Sequence, residues 1–200
     1  DEVRIRHTAP RVGQDGATQV ITKWGTTSCP LGSTLLYSGQ GFGGFHSFGN
    51  RSENICLPAS SVMTAGAPME NAGDYVYPLA TDSTPHNPGT DAQQLSLDLK
   101  VVKCAVCEIE RGPCFPMWGR TQCPASYAPL WTGYAMGAHY THYAVTRQCV
   151  DIGSFDGTTV NTNNGNKSLI YGTIVESDSD VTSYATQVGK YLTCAYCCRE

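Results

Sequence analysis

The feature that most constrains this 200-residue chain is that it carries one cysteine frame twice. Cys29, Cys56, Cys104 and Cys107 are spaced 27, 48 and 3 residues apart, and Cys123, Cys149, Cys194 and Cys197 follow at 26, 45 and 3. The residues around them repeat as well. Trp24-Gly25-Thr26-Thr27-Ser28-Cys29-Pro30 returns as Trp118-Gly119-Arg120-Thr121-Gln122-Cys123-Pro124, and Leu36-Tyr37-Ser38-Gly39 returns as Leu130-Trp131-Thr132-Gly133. Cys104-Ala105-Val106-Cys107 returns as Cys194-Ala195-Tyr196-Cys197. A self-similar frame of this kind marks a duplicated structural unit. The boundaries it sets are a polar arm at 1–19, a first repeat with its connector at 20–113, and a second repeat at 114–200.

The cysteine usage also fixes the chemical setting. Ten cysteines, an even number at regular spacing, predict a disulfide framework and an oxidising, extracellular location. Only 15% of residues are charged and the net charge is −4, so no basic face is available for nucleic acid. No apolar run approaches the ~20 residues of a membrane span. The opening Asp1-Glu2-Val3, with neither initiator Met nor signal peptide, reads as a processed, secreted chain. Asn50-Arg51-Ser52 and Asn166-Lys167-Ser168 are glycosylation sequons.

The local pattern is β. Short apolar runs bounded by Gly, Pro, Asn and Asp dominate: Thr34 to Ser38, Tyr75 to Tyr77, Leu97 to Val102 and Leu169 to Val175. The stretches Ala65 to Gln93 and Gly153 to Gly165 read as long loops. The expected fold is all-β, with two tandem pseudo-symmetric subdomains framed by disulfides.

Cys123-Pro124, Leu130-Trp131-Thr132-Gly133-Tyr134 and Lys103-Cys104-Ala105-Val106-Cys107-Glu108 resemble the C4 repeats of the C-terminal noncollagenous domain of type IV collagen. The resemblance covers about residues 22–198. With Ala138-His139-Tyr140-Thr141-His142 it is most similar to the noncollagenous tails of sponge-type short-chain collagens. It departs from the type IV pattern in two respects. The extra short-range cysteine pair of each repeat is missing, and Cys114 and Cys198 follow the closing Cys-x-x-Cys motifs instead. No Gly-X-Y triplets are present, so the sequence is not itself collagenous.

Ten cysteines allow roughly 900 connectivities. The resemblance implies Cys29–Cys107, Cys56–Cys104, Cys123–Cys197 and Cys149–Cys194. Cys114 and Cys198 are then left to bridge to each other, with a free or intermolecular cysteine as the competing outcome. A Cys₄ zinc site from the two Cys-x-x-Cys pairs is a formal alternative.

No catalytic motif is found: neither Gly-x-Ser-x-Gly, nor a phosphate loop, nor His-Glu-x-x-His. The chain is therefore expected not to be an enzyme and to use no cofactor or resident metal. His139 and His142 could share a metal on a helix, but on a strand they would face opposite ways. Glu176, Asp178 and Asp180 could hold calcium, though a solvated acidic loop explains them as well.

Two segments remain as candidate binding surfaces: Gly44, Phe45, His46 and Asn50, and the repeat-related His139, Tyr140, His142 and Tyr143. Aromatic rings that stack on a sugar's C–H face, beside His and Asn that bond its hydroxyls, suit glycans. Packing of these aromatics in a sheet core is the plainer alternative. The expected function is a secreted, multivalent lectin that recognises glycans or glycoproteins as a homo-oligomer. The resemblance implies as its rival an extracellular-matrix assembly domain, whose relatives exchange hairpins to form trimers.

Overall fold

The computed structural model describes residues 18–46, 53–61, 75–82, 87–89, 97–142, 144–159, 167–176 and 187–199. These residues form an all-β protein of ten strands. The first repeat supplies β1 (Thr18–Trp24), β2 (Thr34–Gly43), β3 (Ile55–Pro58), β4 (Tyr77–Thr81) and β5 (Lys103–Glu110). The second supplies β6 (Cys114–Trp118), β7 (Tyr127–Gly137), β8 (Gln148–Val150), β9 (Ser168–Gly172) and β10 (Thr193–Arg199). Among the described residues no helix is long and apolar enough to cross a membrane.

Each repeat is built alike. Its last strand lies between its first two: β5 pairs antiparallel with β1 and β2, and β10 with β6 and β7. Both ladders carry a bulge at the same repeat position. Leu36 is the extra residue between the Leu35–Cys107 and Tyr37–Val106 pairs, and Leu130 between the Pro129–Cys197 and Trp131–Tyr196 pairs. Such a bulge bends and over-twists a strand, which helps a sheet curl toward closure.

The repeats do not form separate subdomains. They join edge to edge through β1 with β8 and β4 with β9, and both junctions are parallel. The path β7-β8-β1-β5-β2-β4-β9 returns to β7 and closes a seven-stranded barrel. Its core draws on both halves, with Trp24, Leu79 and Val102 packed against Met136, Val150 and Ile170. The expectation of two subdomains gives way to one barrel because neither half buries its apolar face alone.

All five disulfides are present: Cys29–Cys107, Cys56–Cys104, Cys123–Cys197, Cys149–Cys194 and Cys114–Cys198. With no free cysteine, the zinc alternative is eliminated and so is an unpaired Cys114 or Cys198. Cys114 and Cys198 are direct neighbours across the β6–β10 ladder. Five disulfides suit an oxidising compartment.

Several local expectations shift. The Leu97–Val102 run is a turn with isolated bridges at Lys100 and Val101, not a strand, and Leu99 sits at φ 49°. β4 begins at Tyr77 rather than Tyr75, and β9 ends at Gly172, with a lone bridge at Ile174 beyond it. The Ala65–Gln93 stretch, read as loop, contains β4.

The duplication is not carried through evenly. Trp24 and Trp118 are repeat-equivalent, yet Trp24 is 8% exposed and Trp118 is 38% exposed. Strand β1 is sealed on its far side by β8, with Trp24 opposite Val150. Strand β6, its equivalent, pairs only with β10 among the described residues. A sheet edge at β6 tolerates Pro116, which has no N–H to donate to a ladder.

Candidate functional site

Strands β2 and β7 end at equivalent points, and the segments that follow them converge on one surface. Past β2, Gly44 is buried while Phe45 and His46 are half-buried. The His46 backbone N–H donates to the Lys167 carbonyl at 3.3 Å, and its ring Nδ1 lies 3.1 Å from the same oxygen. A carbonyl can only accept, so Nδ1 carries a hydrogen, and in the neutral ring Nε2 is the acceptor.

Past β7, residues 139–142 form a tight turn closed by the His142 N–H donating to the His139 carbonyl at 2.9 Å. A strand would have set His139 and His142 on opposite faces. The turn instead puts their rings 5.1 Å apart. Tyr140, at its tip, is 90% exposed. The Thr141 backbone N–H donates to His139 Nδ1 at 3.3 Å, with the Thr141 hydroxyl 2.8 Å away. Here Nδ1 must accept, so Nε2 bears the hydrogen. His46 thus offers an acceptor edge and His139 a donor edge, which is the pair that a hydroxyl needs.

The two segments meet. The His46 and His142 rings are 4.9 Å apart, so the surfaces expected as two quasi-equivalent sites are one composite site. Two tyrosines not expected from the sequence complete it. Tyr77 lies 5.2 Å from Phe45, and Tyr171 lies 5.1 Å from His139 and 5.7 Å from His142. A signal for them existed. Tyr77 and Tyr171 are 94 residues apart, as are Phe45 and His139, and Trp24 and Trp118. They are the two copies of one ring-on-tyrosine contact, set by the Gly43–Tyr77 and Gly137–Tyr171 pairs of the two ladders.

Asn50, Tyr143 and Asn166 lie outside the described residues, as do Asp178 and Asp180 of the acidic loop; Glu176 is exposed. Among the described residues no group of three or more His, Cys, Asp or Glu side chains is arranged to hold a metal ion.

Two concavities lie elsewhere. One of about 560 Å³ surrounds Lys23 and Asp151, whose Nζ and Oδ2 are 3.0 Å apart and whose side chains are 7% and 9% exposed. Asp151 also accepts from the Ser154 N–H at 3.1 Å, and the Lys23 ammonium stands 5.8 Å from the centre of the Trp131 ring. Lys23 on β1 and Asp151 just past β8 hold the two repeats together at their parallel junction. A second cleft, of about 280 Å³, lies beside the open edge at β6. Tyr196 in its wall is stacked on Trp131, 4.4 Å between centroids and 7° between planes. Burial pushes the Tyr196 phenol above its usual range, so it is neutral at physiological pH.

No protein-family model matches this chain, and no curated protein sequence matches it. The functional reading rests on the geometry of the sites.

Proposed function

We propose that the protein is a secreted, non-catalytic glycan-binding protein that uses a C4-repeat scaffold like that of the type IV collagen noncollagenous domain. The observation that carries this reading is the convergence of Phe45, His46, His139, Tyr140 and His142, with Tyr77 and Tyr171, on one surface. Half-buried rings give a sugar apolar faces to stack on. His46 and His139, with opposite tautomers held by backbone groups, give its hydroxyls a fixed acceptor and a fixed donor. With Tyr140 90% exposed at the tip of its turn, the surface suits a terminal sugar on a larger glycan rather than an enclosed small molecule. Weak sites of this sort gain strength through multivalent presentation, which a homo-oligomer would supply.

A glycan-array screen of the oxidised protein, with and without EDTA, tests the reading. Selective binding to a few related sugars is expected. Tyr140→Ala should weaken it by about tenfold, the scale of one lost stacking contact, while the melting temperature moves by no more than about 2 °C, since an exposed tip carries little stability. A blank array, or a Tyr140→Ala variant that binds like the parent, would remove this surface from consideration.

The rival, matrix assembly, draws support from a different observation. Leu31 in the turn before β2, and Leu35, Leu36 and Tyr37 near its start, are exposed apolar side chains, and exposed patches of this kind mark protein contacts. If that patch drives assembly, sedimentation should give a defined trimer or hexamer that Leu35→Asp with Leu36→Asp dissociates. A monomer at micromolar concentration would count against it.

A further inference from the structure

Two histidines of the composite surface are tied to the backbone in opposite senses, so a proton acts on each in a different way. His139 Nδ1 accepts from the Thr141 backbone N–H at 3.3 Å, a contact that caps the turn at 139–142. A protonated imidazole carries a hydrogen on both nitrogens and accepts at neither. The Thr141 hydroxyl, 2.8 Å from the same nitrogen, can reverse and accept instead. The backbone N–H has no such freedom. It would face a second N–H, and the cap would be lost.

His46 responds otherwise. Its Nδ1 lies 3.1 Å from the Lys167 carbonyl and donates to it, so charging the ring strengthens that bond and keeps the segment after β2 in place. What changes is the other edge of the ring: Nε2, the acceptor of the neutral form, becomes a donor. The half-buried rings also sense one another. His142 lies 4.9 Å from His46 and 5.1 Å from His139. Like charges at that separation repel more strongly at a partly buried site than in bulk water. Tyr171 of β9 faces His139 and His142, and Tyr77 of β4 stands behind Phe45. Lys167 sits beside His46, and the Arg147 stem lies against Gly137 at the end of β7. A phenol is uncharged in acid and the other two are cations, so none of these four groups offsets the charge that the imidazoles gain.

We propose that the three-histidine surface is a proton switch, in which neutral imidazoles hold the 139–142 turn and its glycan, and protonation of His139 and His46 loosens the turn and releases the glycan. The release rests on the glycan-binding reading above; the loosening of the turn does not. Acid takes away the acceptor at His46 Nε2 and unfastens the turn that presents Tyr140. Histidine is the side chain that changes charge between about pH 5 and pH 8. A lectin built this way binds in neutral extracellular fluid and lets go in an acidified compartment.

Nuclear magnetic resonance of the ligand-free, oxidised protein, titrated from about pH 8 to pH 5, tests the switch by itself. The Thr141 amide signal should move in step with the His139 ring signals, and His139→Asn should remove that movement. An asparagine side chain accepts from the amide two residues on, as in an Asx turn, but gains no proton in this range. For a glycan selected at neutral pH, the Kd should rise about tenfold or more as the pH falls by about two, the scale of one lost hydrogen bond. In His139→Asn that rise should shrink, whatever the affinity of the variant at neutral pH. A Thr141 signal that stays put while the His139 ring titrates, a movement of the same size in His139→Asn, or a Kd that does not change with pH would each overturn the proposal. If no glycan binds at neutral pH, the glycan reading falls, and the Thr141 signal still decides the switch.

Discussion

Asp151→Ala is expected to lower the unfolding free energy by about 3–5 kcal/mol, because it strands the Lys23 ammonium in a low-dielectric setting. Both side chains are more than nine-tenths buried, so solvent and salt screen the pair little. For a protein of this size the loss corresponds to roughly 6–20 °C in melting temperature. The pair itself need not be net stabilising. Replacing both partners together, Lys23→Met with Asp151→Leu, should recover most of the loss, since a buried pair and an apolar pair of similar volume are often equivalent. Thermal melts of the oxidised single and double variants, in low salt and in 1 M salt, decide the matter. A single-variant loss under about 1 kcal/mol, or one that vanishes in high salt, would mean that water reaches the pair. The effect matters for more than stability, since Lys23 and Asp151 bridge the parallel β1–β8 junction that turns two repeats into a barrel.

What could be read from the sequence was what each repeat says locally. The cysteine frame, the β character and the equivalence of the two halves follow from residues close together in the chain. The resemblance to C4 repeats supplied the pairing of four bridges, all of them present. Juxtaposition across the barrel was not legible. His46 meets His142 only because β2 and β7 reach the β4–β9 junction from opposite sides, and no local pattern encodes that strand order. The turn at 139–142 was hidden for a second reason. It holds no Gly, Pro, Asn or Asp, and the Thr141 N–H is instead taken by the His139 ring, as an Asx side chain would take it. The cleft at β6 was less legible still. Trp24 and Trp118 sit in nearly identical local sequence, and what separates them is whether a partner strand arrives.

Gly39 and Gly133 give the most direct measure of how deep the equivalence runs. A side chain on Gly39 would run into the Leu57 carbonyl, and one on Gly133 into the Val150 carbonyl, in each case backbone that cannot step aside. Elsewhere in a sheet, Gly→Ala gains roughly 0.4–1 kcal/mol by restricting the unfolded chain. Here the clash must overturn that gain, and overpacking against backbone puts the expected net loss at about 3 kcal/mol or more. Thr132→Ala, on the exposed neighbour of Gly133, should change stability by no more than about 0.5 kcal/mol. If the two halves obey the same packing rule, Gly39→Ala and Gly133→Ala should cost nearly the same in parallel melts of the oxidised protein. A loss at Gly133 alone would locate the rigid junction at β7–β8, where the strand also seals β1, and would leave β3 free to shift away from β2. That outcome would extend to the backbone the asymmetry already visible in Trp24 and Trp118. Neutral effects at both positions would show that β3 and β8 do not cross the glycines as closely as described.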